Sequence, residues 1–142
     1  MIDDILAESG ALLAYGVLGV LLMALGYLVV EVTTPGKLGE QIWTERNRGA
    51  ALVLAAKLLG VGAIVTTAIV SSEDDLGAGL LSTSVYGVLG MVLMVVAFYL
   101  LDLLTPGKLG ATVVQDGTLH PASWVVAAAD LATAAIVAAA IS

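Results

Sequence analysis

Cysteine is absent from these 142 residues and histidine occurs once, as His120. The first absence excludes disulfides, thiolate zinc sites, iron–sulfur clusters and covalent haem, and the second leaves no histidine cluster for a metal. No cofactor and no metal are therefore expected. Charge is also scarce, at 12% of side chains against about 25% in soluble domains. Five Lys and Arg against 12 Asp and Glu give a net charge of −7, the opposite of the clustered basic surface that nucleic acid requires. A nucleic-acid partner is not expected. No nucleophile–base set or Gly-rich phosphate loop is visible, so the reading is of a protein that is not an enzyme.

What is present is apolar: 60% of side chains are hydrophobic and the mean hydropathy is +1.06. This is the composition of a membrane protein. Four runs, Ala11 to Val30, Ala50 to Val70, Ser84 to Leu101 with a possible start near Leu80, and Ala122 to Ile141, each have the roughly 20 residues that cross a ~30 Å hydrocarbon core as a helix. The expected fold is all-α, a single polytopic membrane domain over residues 1–142 with the lipid bilayer as its surroundings. The N-terminus, Met1-Ile2-Asp3-Asp4-Ile5, lacks the basic region of a cleavable signal, so the first run is expected to be retained. Lys37, Arg46 and Arg48 fall in the first loop, and Lys108 and His120 in the third. The N-terminal tail and the second loop, Ser71-Ser72-Glu73-Asp74-Asp75, have acids only. By the positive-inside rule both termini face out.

The chain is also written twice. Glu31-Val32-Thr33-Thr34-Pro35-Gly36-Lys37-Leu38-Gly39 returns 71 positions later as Asp102-Leu103-Leu104-Thr105-Pro106-Gly107-Lys108-Leu109-Gly110. Each copy closes a run that opens with Tyr-Gly-Val-Leu-Gly, at Tyr15 and at Tyr86. A shared offset at both ends of the run marks a duplicated unit. The units span 9–71 and 80–142, each of two helices, so they are expected as parallel repeats. The Thr-Pro-Gly-Lys segment has two readings. Proline and glycine can form a type II turn that stops the helix, or Thr34 and Thr105 can cap a short interfacial helix on which Leu38 and Ile42 lie four apart. Glu31 and Asp102 then anchor the turn, through backbone N–H groups or a lysine.

Helices in lipid associate through small residues that allow close approach. Gly16, Gly19, Met23 and Gly26 recur in the third run as Gly87, Gly90, Met94 and Ala97; the second run has Ala56, Gly60, Ala63 and Thr67. In the fourth, Ala128, Ala132, Ala135 and Ala139 make one stripe, and that helix is expected to be the most enclosed. Tyr15 and Tyr86 suit the outer interface. Lys57 and Asp130 are the charges well inside the runs. Each costs about 2.5–3.5 kcal/mol near a helix centre on insertion scales. With two extra residues allowed in the second unit, Ala55-Ala56-Lys57-Leu58 aligns with Ala128-Ala129-Asp130-Leu131, placing opposite charges at equivalent depth. Three readings stand: a structural role, as a pair with each other or with Glu31 or Asp102; a snorkelling lysine with Asp130 protonated, paired or exposed to water in a cavity; or a proton or cation path.

With these features the chain resembles the YjfL-like bacterial inner-membrane family, domain of unknown function family 350. Its members have a two-helix unit, usually duplicated, with an acid followed by Thr-Pro at the end of the first helix and an Asn before the second. The matching positions are Glu31, Thr34, Pro35 and Asn47, then Asp102, Thr105 and Pro106. The second unit has Thr118, Leu119 and His120 where the first has Asn47, Arg48 and Gly49, so a role for the Asn carries over to the first alone. The resemblance implies topology and a prokaryotic plasma (inner) membrane location, and no activity. The function expected is association, as a homo-oligomer or an accessory subunit of a larger envelope complex. The alternative is a transporter or channel component with a polar path near Lys57 and Asp130. Because the chain has no cysteine, the topology is directly testable: single cysteines at Ser72 and Thr118 should react with an impermeant reagent from opposite sides of the membrane. Reaction from the same side would refute four spans.

Overall fold

Several helix boundaries have a local cause. The computed structural model describes residues 1–34, 36–72, 75–105, 107, 109–113 and 119–142, excluding the side chains of residues 109 and 110. Helix α1 is Ile2–Thr33, followed by a π-helical turn, Glu40–Thr44, and α2, Arg48–Val70; then come α3, Leu76–Leu104, the short α4, Leu109–Val113, and α5, Pro121–Ile141. Among the described residues α1, α2, α3 and α5 are long and apolar enough to cross a membrane. Helix α1 begins nine residues before the expected Ala11, because Asp3 and Asp4 in its first turn suit the positive end of the helix dipole. Asp75 starts α3 early: its Oδ2 accepts from the Ala78 N–H at 3.0 Å, satisfying one of the orphan donors of a helix start.

Close contacts set the helix directions. Gly26 lies against Val61 and Gly19 against Val65, so α1 and α2 are antiparallel; Gly60 against Met94 and Gly90 against Ile64 make α2 and α3 antiparallel. Helices α2 and α5 run the same way, with Gly49 at Ser123 and Gly60 at Ala134, as do α1 and α3, with Tyr15 at Gly79 and Leu22 at Gly87. This up-down-up-down bundle gathers Lys37, Arg46, Arg48 and His120 at one end, the basic end, together with Glu31, Glu40, Glu45 and Asp102. The other end holds Asp3, Asp4, Glu8 and Asp75.

The repeated turn closes α1 and α3 alike. Thr34 and Thr105 are extended, with φ,ψ of −106°, 131° and −102°, 137°, and Gly36 and Gly107 take φ of 87° and 88°. Positive φ at the glycine is the third position of a type II turn. Thr34 thus ends α1 instead of capping a new helix. Pro35, Pro106 and Lys108 lie outside the described residues. Past the turn, Leu38 is fully buried against Val30 and Ala50. Glu31 is half-buried and joins no ion pair among the described residues, so the expected lysine partner is not found for it.

Three packing expectations are corrected. The most enclosed helix is α2, 44% of whose most apolar stretch is buried against 28% for α5. The stripe Ala128, Ala132, Ala135 and Ala139 is exposed, and α5 buries Ser123, Val126, Ala127, Asp130, Ala134 and Val137 instead. Rotation explains it: successive helical residues turn by about 100°, so once Asp130 faces inward Ala128 and Ala132 face away. Met23, the expected equivalent of buried Met94, is 40% exposed, because α1 contributes only one edge to the bundle.

Of the six glycines expected at contacts, Gly19, Gly26, Gly60, Gly87 and Gly90 sit against side chains of neighbouring helices, whereas Gly16 has open space around it. Gly49, in the first turn of α2, is a contact that the sequence reading missed. A Cβ there would strike the Val113 carbonyl oxygen, and the Ser123 Oγ at 2.7 Å. Backbone cannot rotate away as a side-chain tip can, so Gly49→Ala should destabilise the fold by about 1–3 kcal/mol. Gly16→Ala should be neutral or stabilising by up to about 1 kcal/mol, the helix preference of Ala over Gly. Thermal melts of the two variants in one detergent check the contrast.

Candidate functional site

Lys57 and Asp130 are each the tenth residue of their helix, α2 and α5, about 14 Å from the helix start by the 1.5 Å rise. The parallel course of α2 and α5 brings these equal depths together. Lys57 Nζ lies 2.9 Å from Asp130 Oδ1, with 2% and 3% of the two side chains exposed. The lysine does not snorkel to the basic end. It turns inward, because a charge-assisted bond to a carboxylate outweighs a partial reach to water in a medium of low dielectric.

Apolar layers seal the pair along the helix axis. Towards the basic end Val53, Val113 and Val126 cluster. Towards the acidic end Val61, Met94 and Ala134 belong to the main core with Leu22, Ile64, Val65, Met91 and Val137. Gly60, one turn from Lys57, admits the tip of Met94 and the Ala134 Cβ, at 2.8 and 3.0 Å from where a side chain would begin. The second carboxylate oxygen, Asp130 Oδ2, is buried without a hydrogen-bond partner among the described residues. The arrangement neutralises two charges and leaves one acceptor in reserve. Among the described residues no group of His, Cys, Asp or Glu could hold a metal.

The remaining polar groups belong to the ends of the helices. Asn47 caps α2, its Oδ1 accepting from the Ala50 N–H at 3.0 Å. His120 caps α5 through Nδ1, which accepts from the Ala122 N–H at 3.0 Å. The second unit therefore replaces Asn47 by His120, not by Thr118 as the uniform 71-residue offset had it; the two-residue shift that pairs Lys57 with Asp130 also pairs the caps. Tyr15, expected at the outer interface, shares a hydrogen bond of 3.1 Å with Ser72 Oγ just past the acidic-end terminus of α2, fitting over Gly79. Tyr86 is 42% exposed. Ser123 and Thr83 are buried hydroxyls that the sequence reading passed over. The signal for Ser123 was its small size one turn into a helix that must approach Gly49.

If the pair holds α2 to α5, the two side chains must be energetically coupled. Lys57→Met and Asp130→Asn should each cost about 3–5 kcal/mol, the cost of leaving a buried charge unpaired. The double variant should cost less than the sum. Denaturation of all four proteins in mild detergent measures this, and strict additivity would refute the coupling.

The comparisons with known proteins point to one family. The family described as Domain of Unknown Function (DUF350) matches residues 3–141. A UPF0719 transmembrane protein of Mycolicibacterium paratuberculosis is 33% identical over 141 residues, covering 99% of this chain and 93% of that protein. Another UPF0719 transmembrane protein, from Mycobacterium bovis, is 37% identical over 132 residues, covering 93% and 86%. No solved structure matches. With four apolar helices of spanning length and a match from end to end, the chain is a membrane protein and belongs to the DUF350 family.

Proposed function

We propose that this protein acts by association, as a homo-oligomer or as an accessory subunit of a larger envelope complex, and that it is not an enzyme. The observation that carries this reading is the outer face of α1. Of the six glycines suited to helix contact, Gly16 alone has no atom of the described residues outside its own helix within 4 Å of where a side chain would start. It lies in a concavity of ≈ 390 Å³ walled by Leu12, Leu13, Val17, Val20 and Leu21 of the same helix. A groove floored by glycine lets a second helix approach closely, which is how helices associate in lipid. The intramembrane charges Lys57 and Asp130 are paired and buried, so neither faces outward to oppose such contact.

Placement in a prokaryotic plasma membrane with both termini outside is part of the proposal. The gathering of Lys37, Arg46 and Arg48 at one end of the bundle supports it. A second reading, a transporter or channel component, draws on the unpartnered Asp130 Oδ2. Cysteine at Gly16 in the otherwise cysteine-free chain should form a disulfide between chains in native membranes, and Gly16→Leu should lower the mass seen by native mass spectrometry in mild detergent. A wild-type monomer with no bound partner would overturn association. Proton or cation flux into proteoliposomes of the wild-type protein, lost in Asp130→Asn that circular dichroism shows to be folded, would establish the transport reading.

A further inference from the structure

A furrow runs between α1 and α3 on the outside of the bundle, in the half nearer the basic end. It consists of two adjoining hollows of ≈ 320 and ≈ 310 Å³ that share Leu25, Val29 and Val95. Its cause is local. At Gly87 the two helices touch, Leu22 reaching to 2.9 Å of where a side chain would start. Beyond that contact the facing walls carry Val29 on α1 and Val88, Val92 and Val95 on α3. These branched side chains are short and stiff, so they cannot reach across, and Met91 forms a buried floor beneath them.

We infer that this furrow holds one acyl chain of a phospholipid from the leaflet at the basic end. Length is the first argument. From Val88 to Tyr99 the furrow is about 16 Å long by helical rise, close to the ~15 Å that one leaflet contributes to a ~30 Å hydrocarbon core. A helix of a second copy would instead run the full thickness of the core, and the furrow closes at Gly87. The chemistry of the walls is the second. The inner hollow presents no polar surface, and the outer one ends at Thr33 and Tyr99. The Thr33 hydroxyl is spent on the Val29 carbonyl at 2.9 Å. Tyr99 is 53% exposed and suits the headgroup boundary.

Charge is the third argument. Lys37 is exposed just past the turn that ends α1, at the end of the bundle where the phosphate of such a lipid would lie. Asp102, one turn beyond Tyr99, is already engaged in a contact. Trp43 and Trp124, 80% and 58% exposed at the same end, mark the level at which aromatic rings meet headgroups. The occupant is thus amphiphilic and single-chained within the furrow.

The test uses the whole protein in nanodiscs of phosphatidylglycerol and phosphatidylcholine, with a trace of phospholipid bearing a diazirine near the end of one acyl chain. Irradiation should label Leu25, Val29, Val92 and Val95 well above the Leu12–Leu21 face of α1. Native mass spectrometry after transfer to detergent should retain one phospholipid per chain. Val95→Trp should abolish the adduct, and Lys37→Gln should reduce it about tenfold, as expected for loss of a charge-assisted phosphate contact. Circular dichroism reports whether each variant folds, and the wild-type labelling pattern decides without them. Uniform labelling along α1, or crosslinks from the furrow to a second protein chain, would overturn the lipid assignment. Because the oligomer is measured at Gly16, on another stretch of α1, failure of either proposal is read independently of the other.

Discussion

The bundle is organised by the requirement that a charge inside a membrane find its opposite. Lys57 and Asp130 meet at 2.9 Å, each nearly sealed from solvent, and the demand for this contact propagates outward. It fixes the rotation of α5, so that Ala134 and Val137 face the core and the alanine stripe faces away. It fixes the register of α2 against α5, because the two charges are at equal depth. That register in turn places Gly49 against Ser123 and Val113. An ion pair of this kind adds little net stability over a well-packed apolar contact, yet leaving either partner alone is costly. Its consequence is uniqueness of arrangement, since no other register neutralises both charges.

Opposite charges at equivalent places in two related units have a further effect. Two copies of the first unit facing one another through this position would oppose lysine to lysine, and two copies of the second would oppose aspartate to aspartate. Only the pairing of unlike units is neutral. The tether through Glu73 and Asp74 makes that pairing intramolecular, where the effective concentration is high. The duplication is therefore a closed pair within one chain, and any assembly of chains has to use surfaces other than the α2–α5 seam. The exposed alanine stripe of α5 is one such surface, and the outer faces of α1 and α3 are two more.

Those two faces differ in texture. The acidic-end half of α1 has a glycine floor at Gly16, suited to a rigid backbone at close range. The basic-end half shares a valine-walled furrow with α3, suited to something thinner and more flexible than a helix. The difference arises because Gly26 of the same helix is consumed by Val61 of α2, turning this half of α1 inward while its other half remains at the edge.

Much of this was legible in the residues alone. Apolar run lengths determined four spanning helices, because the thickness of the hydrocarbon core is a fixed ruler. The positive φ of Gly36 and Gly107 followed from Thr-Pro-Gly-Lys, since turn chemistry is local. Lys57 and Asp130 stood out because intramembrane charge is expensive wherever it falls. What the tertiary structure decided was which side of each helix faces which neighbour. On α5 the stripe 128–139 and the face that carries Ala127 and Ala134 both offer small residues; the carboxylate of Asp130 chose between them, through a partner 73 residues away in sequence. The exchange of Asn47 for His120 as a cap was decided there too: the two-residue insertion was legible at Lys57 and Asp130, but that it already applies at the caps shows only in where the helices start. Local chemistry is written in sequence neighbours, whereas helix rotation is set by contacts that have no spacing in the chain.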